Sequence, residues 1–346
     1  MTDDVLSLHR ALVGIPSVSK SESEVMTYAS DWLARNGLEV FWIGRNVVAK
    51  TSGDVRLLLN SHLDTVPPTA EWTRDPFVAE VSDGKVYGLG SNDAKGAVAA
   101  MMACMARCCD TPGLALLLVV DEETGGEGAE IAWPCLRDEH GWRPEGVIVG
   151  EPTELQIGVG QRGLLVLELA VSGTPCHAAN AADMGVENPV FVLAENLLRL
   201  PHLKLPGGTN LATPTVLQGS RARNQVAGEV SAILDIRTLP GQSHEEIIDF
   251  LQRELSCEVR VSSRRLQPFR CDPQARIVEA AQSVVKGAKP FESRTMSDQV
   301  FFNGENAIKM GPGVSARSHT ADEFILEAEV MHGADTYTAI AKEFLR

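Results

Sequence analysis

The stretch VRLLLNSHLDTVPP, residues 55–68, decides how the rest of the chain is read. Leu57, Leu58 and Leu59 form an unbroken apolar run that leads straight into His62 and Asp64. An apolar run of this kind reads as a strand buried on both faces, which belongs to a parallel sheet covered by helices. Open α/β sheets bind ligands beyond the carboxyl ends of their strands. Side chains alternate along extended backbone, so His62 and Asp64 point the same way. Alone, such a pair is an ordinary loop histidine, and the rest of the chain has to change that reading.

Outward from this stretch, helix and strand patterns alternate. Asp3 to Leu12 and Glu22 to Asn36 read as helices, the second stopping at Gly37, and strands follow near Glu39–Trp42 and Val47–Ala49. A long helix runs through AVAAMMACMARC, and LALLLVVDEE and GVIVGEP read as further buried strands. The expectation is an α/β fold with a mostly parallel, helix-covered sheet. At Gln161 the pattern changes to β-α-β-β-α-β, the order of a ferredoxin-like unit. The earlier style resumes at QARIVEAAQSVV. Residues 1–160 and 271–346 are therefore expected to form one discontinuous catalytic domain, with 161–270 inserted in it.

A net charge of −15 argues against nucleic acid and against anionic membrane surfaces as partners. No apolar run reaches the roughly 18 residues that a membrane span needs. The start of the chain is acidic and then amphipathic, unlike a secretory signal, so the expected location is the cytoplasm. Seven cysteines without a Cys-x-x-Cys pair are expected to be reduced thiols.

Four more polar punctuations end apolar runs: Asp93 in GLGSNDAKGA, Glu122–Glu123 after LALLLVVD, Glu151 in VIVGEPT and His319 in SARSHTADEF. Each has a plain alternative: a helix cap, an acidic loop, a turn carboxylate, a loop histidine. Together they match one chemistry. Two histidines, two terminal carboxylates and one bridging carboxylate suit two zinc ions about 3.5–4 Å apart. One ion takes His62 and Glu151, the other Glu123 and His319, and Asp93 spans both. Asp64 can accept the His62 N–H and fix its tautomer. Glu122 is left over, placed to act as general base and then general acid. No Gly-x-Ser-x-Gly elbow is present, and the glycines at 125, 126 and 128 lack the Gly-Lys-Ser/Thr of a phosphate loop.

SHLDTVPP, YGLGSNDAKG, DEETGGEGA, GEPT, GTPCHAAN, DIRTLPG and SHTADEF, in this order, resemble the dinuclear zinc amidohydrolases that include acetylornithine deacetylase, succinyl-diaminopimelate desuccinylase and aminoacylase. The resemblance implies two divalent ions per subunit, zinc or else cobalt, an inserted lid domain through which a homodimer forms, and a cis peptide at Asp93–Ala94. It implies that His177 reaches the partner's active site to hold the oxyanion. Asn224 and Arg237 look like the lid residues that hold the oxyanion and the substrate carboxylate. Ser297 and Asp298 fall on a family segment near the substrate side chain, where Thr295–Met296 departs from the usual Gly-Thr. Ala178–Ala179–Asn180 departs from the usual Ser-Ala.

The expected activity is hydrolysis of an N-acyl amino acid. KMGPGVSARSHTADEF looks most like the acetylornithine and acetylcitrulline deacetylases of arginine biosynthesis. Removal of succinate from a diaminopimelate or citrulline derivative is the near alternative, with Arg162, Arg221, Arg223 and Arg317 as candidates for its extra carboxylate. A non-catalytic metal-binding homologue is the alternative of another class.

Overall fold

The Leu57–His62 strand is buried along its whole length, as its apolar run requires. In the computed structural model, which describes residues 5–208, 212–219 and 222–346, this strand lies inside a mixed sheet. Arg221 lies outside the described residues. Across the sheet the order is Glu39–Ile43, Asn46–Lys50, Leu114–Val119, Leu57–His62, Gly146–Val149, Ala307–Lys309 and Ile157–Gln161. The four strands from Leu114–Val119 to Ala307–Lys309 are mutually parallel, and the flanking pairs are antiparallel. Helix Lys95–Arg107, buried from Lys95 to Met105, packs against helix Glu327–Phe344.

The chain forms two compact units, one running to Gly160 and resuming at Cys271, the other Gln161–Arg270. The second unit holds an antiparallel sheet in the order Ala212–Gln218, Glu229–Thr238, Gly163–Ser172, Glu258–Leu266, with helices Pro189–Arg199 and His244–Glu254. That is the ferredoxin-like arrangement. Leu165, Leu167 and Leu169 alternate into its core with Leu234, Ile236, Ile247 and Leu251.

One element was not read from the sequence. Glu80–Ser82, Lys85–Tyr87 and Phe324–Leu326 form a separate three-stranded sheet. Asp93 and His319 come from segments next to it rather than directly from central strand ends. Strands of three residues are too short to show a period of two. All seven cysteines are free thiols. Among the described residues no helix is long and apolar enough to cross a membrane.

Candidate metal centre

Three adjacent parallel strands end in site residues. His62 is the last residue of its strand, Asp121 to Glu123 follow Leu114–Val119, and Glu151 follows Gly146–Val149. Asp93 stands two residues before helix Lys95–Arg107, with a cis peptide at Asp93–Ala94. The glycine in KMGPG has a steric reason: a Cβ on Gly311 would stand 2.5 Å from the Glu151 carbonyl oxygen, so only glycine lets this loop pass.

The donor atoms converge in two groups, His62–Asp93–Glu151 and Asp93–Glu123–His319, each within 4.8 Å. Asp93 turns a different oxygen to each group. Its Oδ1 is 3.5 Å from His62 Nε2, and its Oδ2 is 3.8 Å from His319 Nε2. His62 Nε2 is 3.9 Å from Glu151 Oε1, and His319 Nε2 is 2.9 Å from Glu123 Oε1. Two ligands of a tetrahedral zinc, each about 2.0–2.2 Å from it, stand roughly 3.4 Å apart, so these separations fit the ion.

The electrostatics point the same way. Burial opposes charging of His62, but the Asp64, Asp93 and Glu122 carboxylates outweigh it and hold the imidazole well above its usual range. Burial, then the Asp298, Glu123 and Asp64 charges, holds Glu122 far above ordinary carboxylates. Burial and Asp93 do the same to Glu151. The bond to Glu123, with Asp93 nearby, lifts His319 to about 9. Glu151 is thereby held toward its protonated form, and a divalent cation beside it would displace that proton.

Around the donors stands a shell of which the sequence disclosed only the pairing of Asp64 with His62. Asp64, fully buried, accepts N–H bonds from Glu122 and Glu123, both 3.1 Å, and a 2.7 Å bond from Ser19 Oγ. His62 Nδ1 lies nearer the Asp64 carbonyl oxygen, 3.1 Å, than its carboxylate, 3.4 Å. Asp64 thus holds the Glu122–Glu123 turn as well as the histidine. Arg45 joins buried Glu22 to Asp121, and the Glu22 carboxylate accepts the Asp121 N–H. These partners lie up to 99 residues apart, so no local motif could have shown them.

A cavity of about 700 Å³ opens on this centre, lined by Asp93, Glu122, Glu123, Glu151 and His319 and by the 291–296 segment. Lys309 lines it too, its ammonium tied to Ser293 Oγ at 3.2 Å and Thr295 Oγ1 at 3.1 Å. Ser297 and Asp298, expected to touch substrate, are 3% and 1% exposed and do not line this cavity. The chain buries them behind its wall, where burial pushes the Asp298 carboxyl up to about 8. Arg317 is engaged by Glu329 at 2.6 Å, while Arg294, unremarked in the sequence, does line the cavity.

In the second unit, His177 is exposed and its Nδ1 accepts the Ala179 N–H at 3.2 Å. Asn224, also exposed, accepts the Ala178 N–H through its main-chain oxygen. The Arg237 fork is held by Asp235, at 2.8 and 3.0 Å.

The comparisons with known proteins agree with this geometry. The sequence profile of peptidase family M20/M25/M40 matches residues 58–343. A succinyl-diaminopimelate desuccinylase of Xanthomonas campestris pv. campestris is 30% identical, with all of both chains covered. A tripeptidase from Staphylococcus aureus shares the fold at a TM-score of 0.82 and 20% identity, covering 100% of this chain and 99% of that one. A Bacillus subtilis protein described as a dinuclear metal binding peptidase of family M20 does so at 0.73 and 14%, covering 97% and 96%. The chain belongs to peptidase family M20/M25/M40 and is a metal-dependent amidohydrolase.

Proposed function

We propose that this protein hydrolyses the amide bond of an N-acyl amino acid, with N-acetylornithine or N-acetylcitrulline as substrate and arginine biosynthesis as the setting. The observation that carries the hydrolytic reading is Asp93, which offers one oxygen to each donor group while Glu122 stands beside them outside both. The residues fit two divalent cations, zinc or alternatively cobalt, held by His62–Asp93–Glu151 and Asp93–Glu123–His319. Once bound, the ions supply the Lewis acidity that polarises the scissile carbonyl. Glu122 takes the proton of the attacking water and later gives it to the leaving amine. Asp64 orients His62 and holds the turn that carries Glu122. In a homodimer built through residues 161–270, an imidazole of His177 and the amide of Asn224 hold the oxyanion. Arg237, held in place by Asp235 through Nε and Nη2, binds the substrate carboxylate.

A second reading is favoured by the 30% identical relative named a succinyl-diaminopimelate desuccinylase. A succinyl group carries one more carboxylate, and Lys289 and Arg294 on the cavity wall are cations suited to it. Release of free amine from N-acetylornithine, N-acetylcitrulline and their N-succinyl counterparts tests both readings. Preference for an acetyl compound by more than tenfold, about 1.4 kcal/mol in the transition state, supports the first. The same preference for a succinyl compound selects the second. No cleavage of any of the four overturns the substrate class.

A further inference from the structure

Glu323 belongs to neither donor group, yet its side chain holds the loop that delivers Asp93. The residue is 1% exposed. Its Oε1 accepts the N–H groups of Asn92 and Asp93, at 2.8 and 2.9 Å, and its Oε2 accepts that of Gly90 at 3.0 Å. Its main-chain oxygen accepts the Gly88 N–H at 3.0 Å. Buried N–H groups need acceptors, and a carboxylate makes the stronger kind of bond to them. One side chain thus serves three of the four residues from Gly90 to Asp93.

Glu323 also lies four residues after His319, so the same side chain ties two segments that carry metal donors. Asn92 reinforces the tie. Its Nδ2 donates to the Val314 carbonyl at 3.1 Å and to Ser318 Oγ at 3.3 Å, while its Oδ1 accepts the Val314 N–H at 3.0 Å. His9 Nε2 holds the Ser91 carbonyl at 2.9 Å. Asp93 and His319 are two of the three donors in the Asp93–Glu123–His319 group. The His62 group takes only Asp93 from this pair of segments.

We infer that Glu323 is a positioning residue, whose carboxylate fixes how Asp93 presents its two oxygens and thereby sets the affinity of the His319 side of the centre for its ion. The inference rests on the two-ion reading above. Glu323→Gln keeps the shape but turns an NH2 group, a donor, toward at least one N–H donor. Losing a partner that orients a ligand costs 10–100-fold in metal affinity or activity.

The test has two readouts on the full-length protein, neither of them activity. In the metal-free protein, hydrogen exchange in a peptide spanning residues 88–95 should speed up in Glu323→Gln. Exchange at Glu122 and Glu123, held by Asp64, should stay as in the parent. Titration with Co²⁺, followed by its visible spectrum, should show a first ion bound nearly as in the parent and a second weakened 10–100-fold. Unchanged exchange together with two ions at parental affinity overturns the inference. Should Glu323→Gln fail to fold, Glu323→Asp carries the same comparison, with a smaller weakening of the second ion expected and parental behaviour again overturning it. If the parent itself binds fewer than two ions, the two-ion reading fails, and the exchange comparison still decides whether Glu323 holds the loop.

Discussion

Asp64 and His9 show at the residue scale what a sequence discloses and what it hides. The spacing of His62 and Asp64 at the end of an apolar run was enough to mark a candidate ligand and the neighbour that packs against it. The bonds from Asp64 to Ser19 and to the Glu122–Glu123 backbone were not, because they join segments 45 to 59 residues apart. His9 looked like one more residue of an amphipathic helix. It is fully buried, and burial pulls its pKa down to about 4. Its folded value lies below the ordinary 6.5 or so, so the unfolded chain binds the proton more tightly. Stability from this group is complete above about pH 6.5 and is lost as pH falls toward 4, by about 3 kcal/mol in all. Urea unfolding of the metal-free protein between pH 4 and 7, compared with His9→Gln, should show the parent curve falling more steeply by about that amount. Parallel curves would contradict this.

At the scale of elements, length decided legibility. LALLLVVD and GVIVGEP announced their strands, and the carboxylates at their ends followed. The three-residue strands next to Asp93 and His319 carried no period, so those two donors were placed by motif and not by element. Close packing was hidden for another reason: a glycine shows its purpose only when its neighbours are known. Gly128, at the start of helix Glu127–Asp138, would bring a Cβ within 2.3 Å of the Val120 carbonyl oxygen and 2.8 Å of Asn46 Oδ1. The first neighbour is backbone and cannot swing away. Gly128→Ala should therefore destabilise the protein by about 1–3 kcal/mol, read from its urea midpoint. A loss below about 0.5 kcal/mol would show that the helix start shifts freely.

For the whole molecule, the change of pattern at Gln161 and its reversal near residue 271 were visible because a β-α-β-β-α-β run interrupts an alternating one. Assembly is a separate matter, and homodimerisation through residues 161–270 remains our proposal. It is supported by Val190, Phe191 and Leu198, which helix Pro189–Arg199 leaves 50, 70 and 73% exposed. The edge strand Ala212–Gln218 also leaves Leu217 68% exposed. Apolar patches and open strand edges are surfaces that monomers rarely leave bare. Light scattering should give twice the chain mass for the parent and a single chain mass for Phe191→Glu, and a monomeric parent would contradict the proposal.

We propose that one bridging carboxylate and four terminal ligands hold two ions beside Glu122, which moves the proton. Metal content and amine release of Glu122→Gln, measured together on the substrate the parent cleaves best, separate the two roles, ligand and proton carrier. Two ions per chain are expected in the variant, as in the parent, with turnover reduced by about 10²–10⁴. Parental turnover in a variant that keeps both ions would contradict the role given to Glu122, and loss of an ion would make Glu122 a ligand instead.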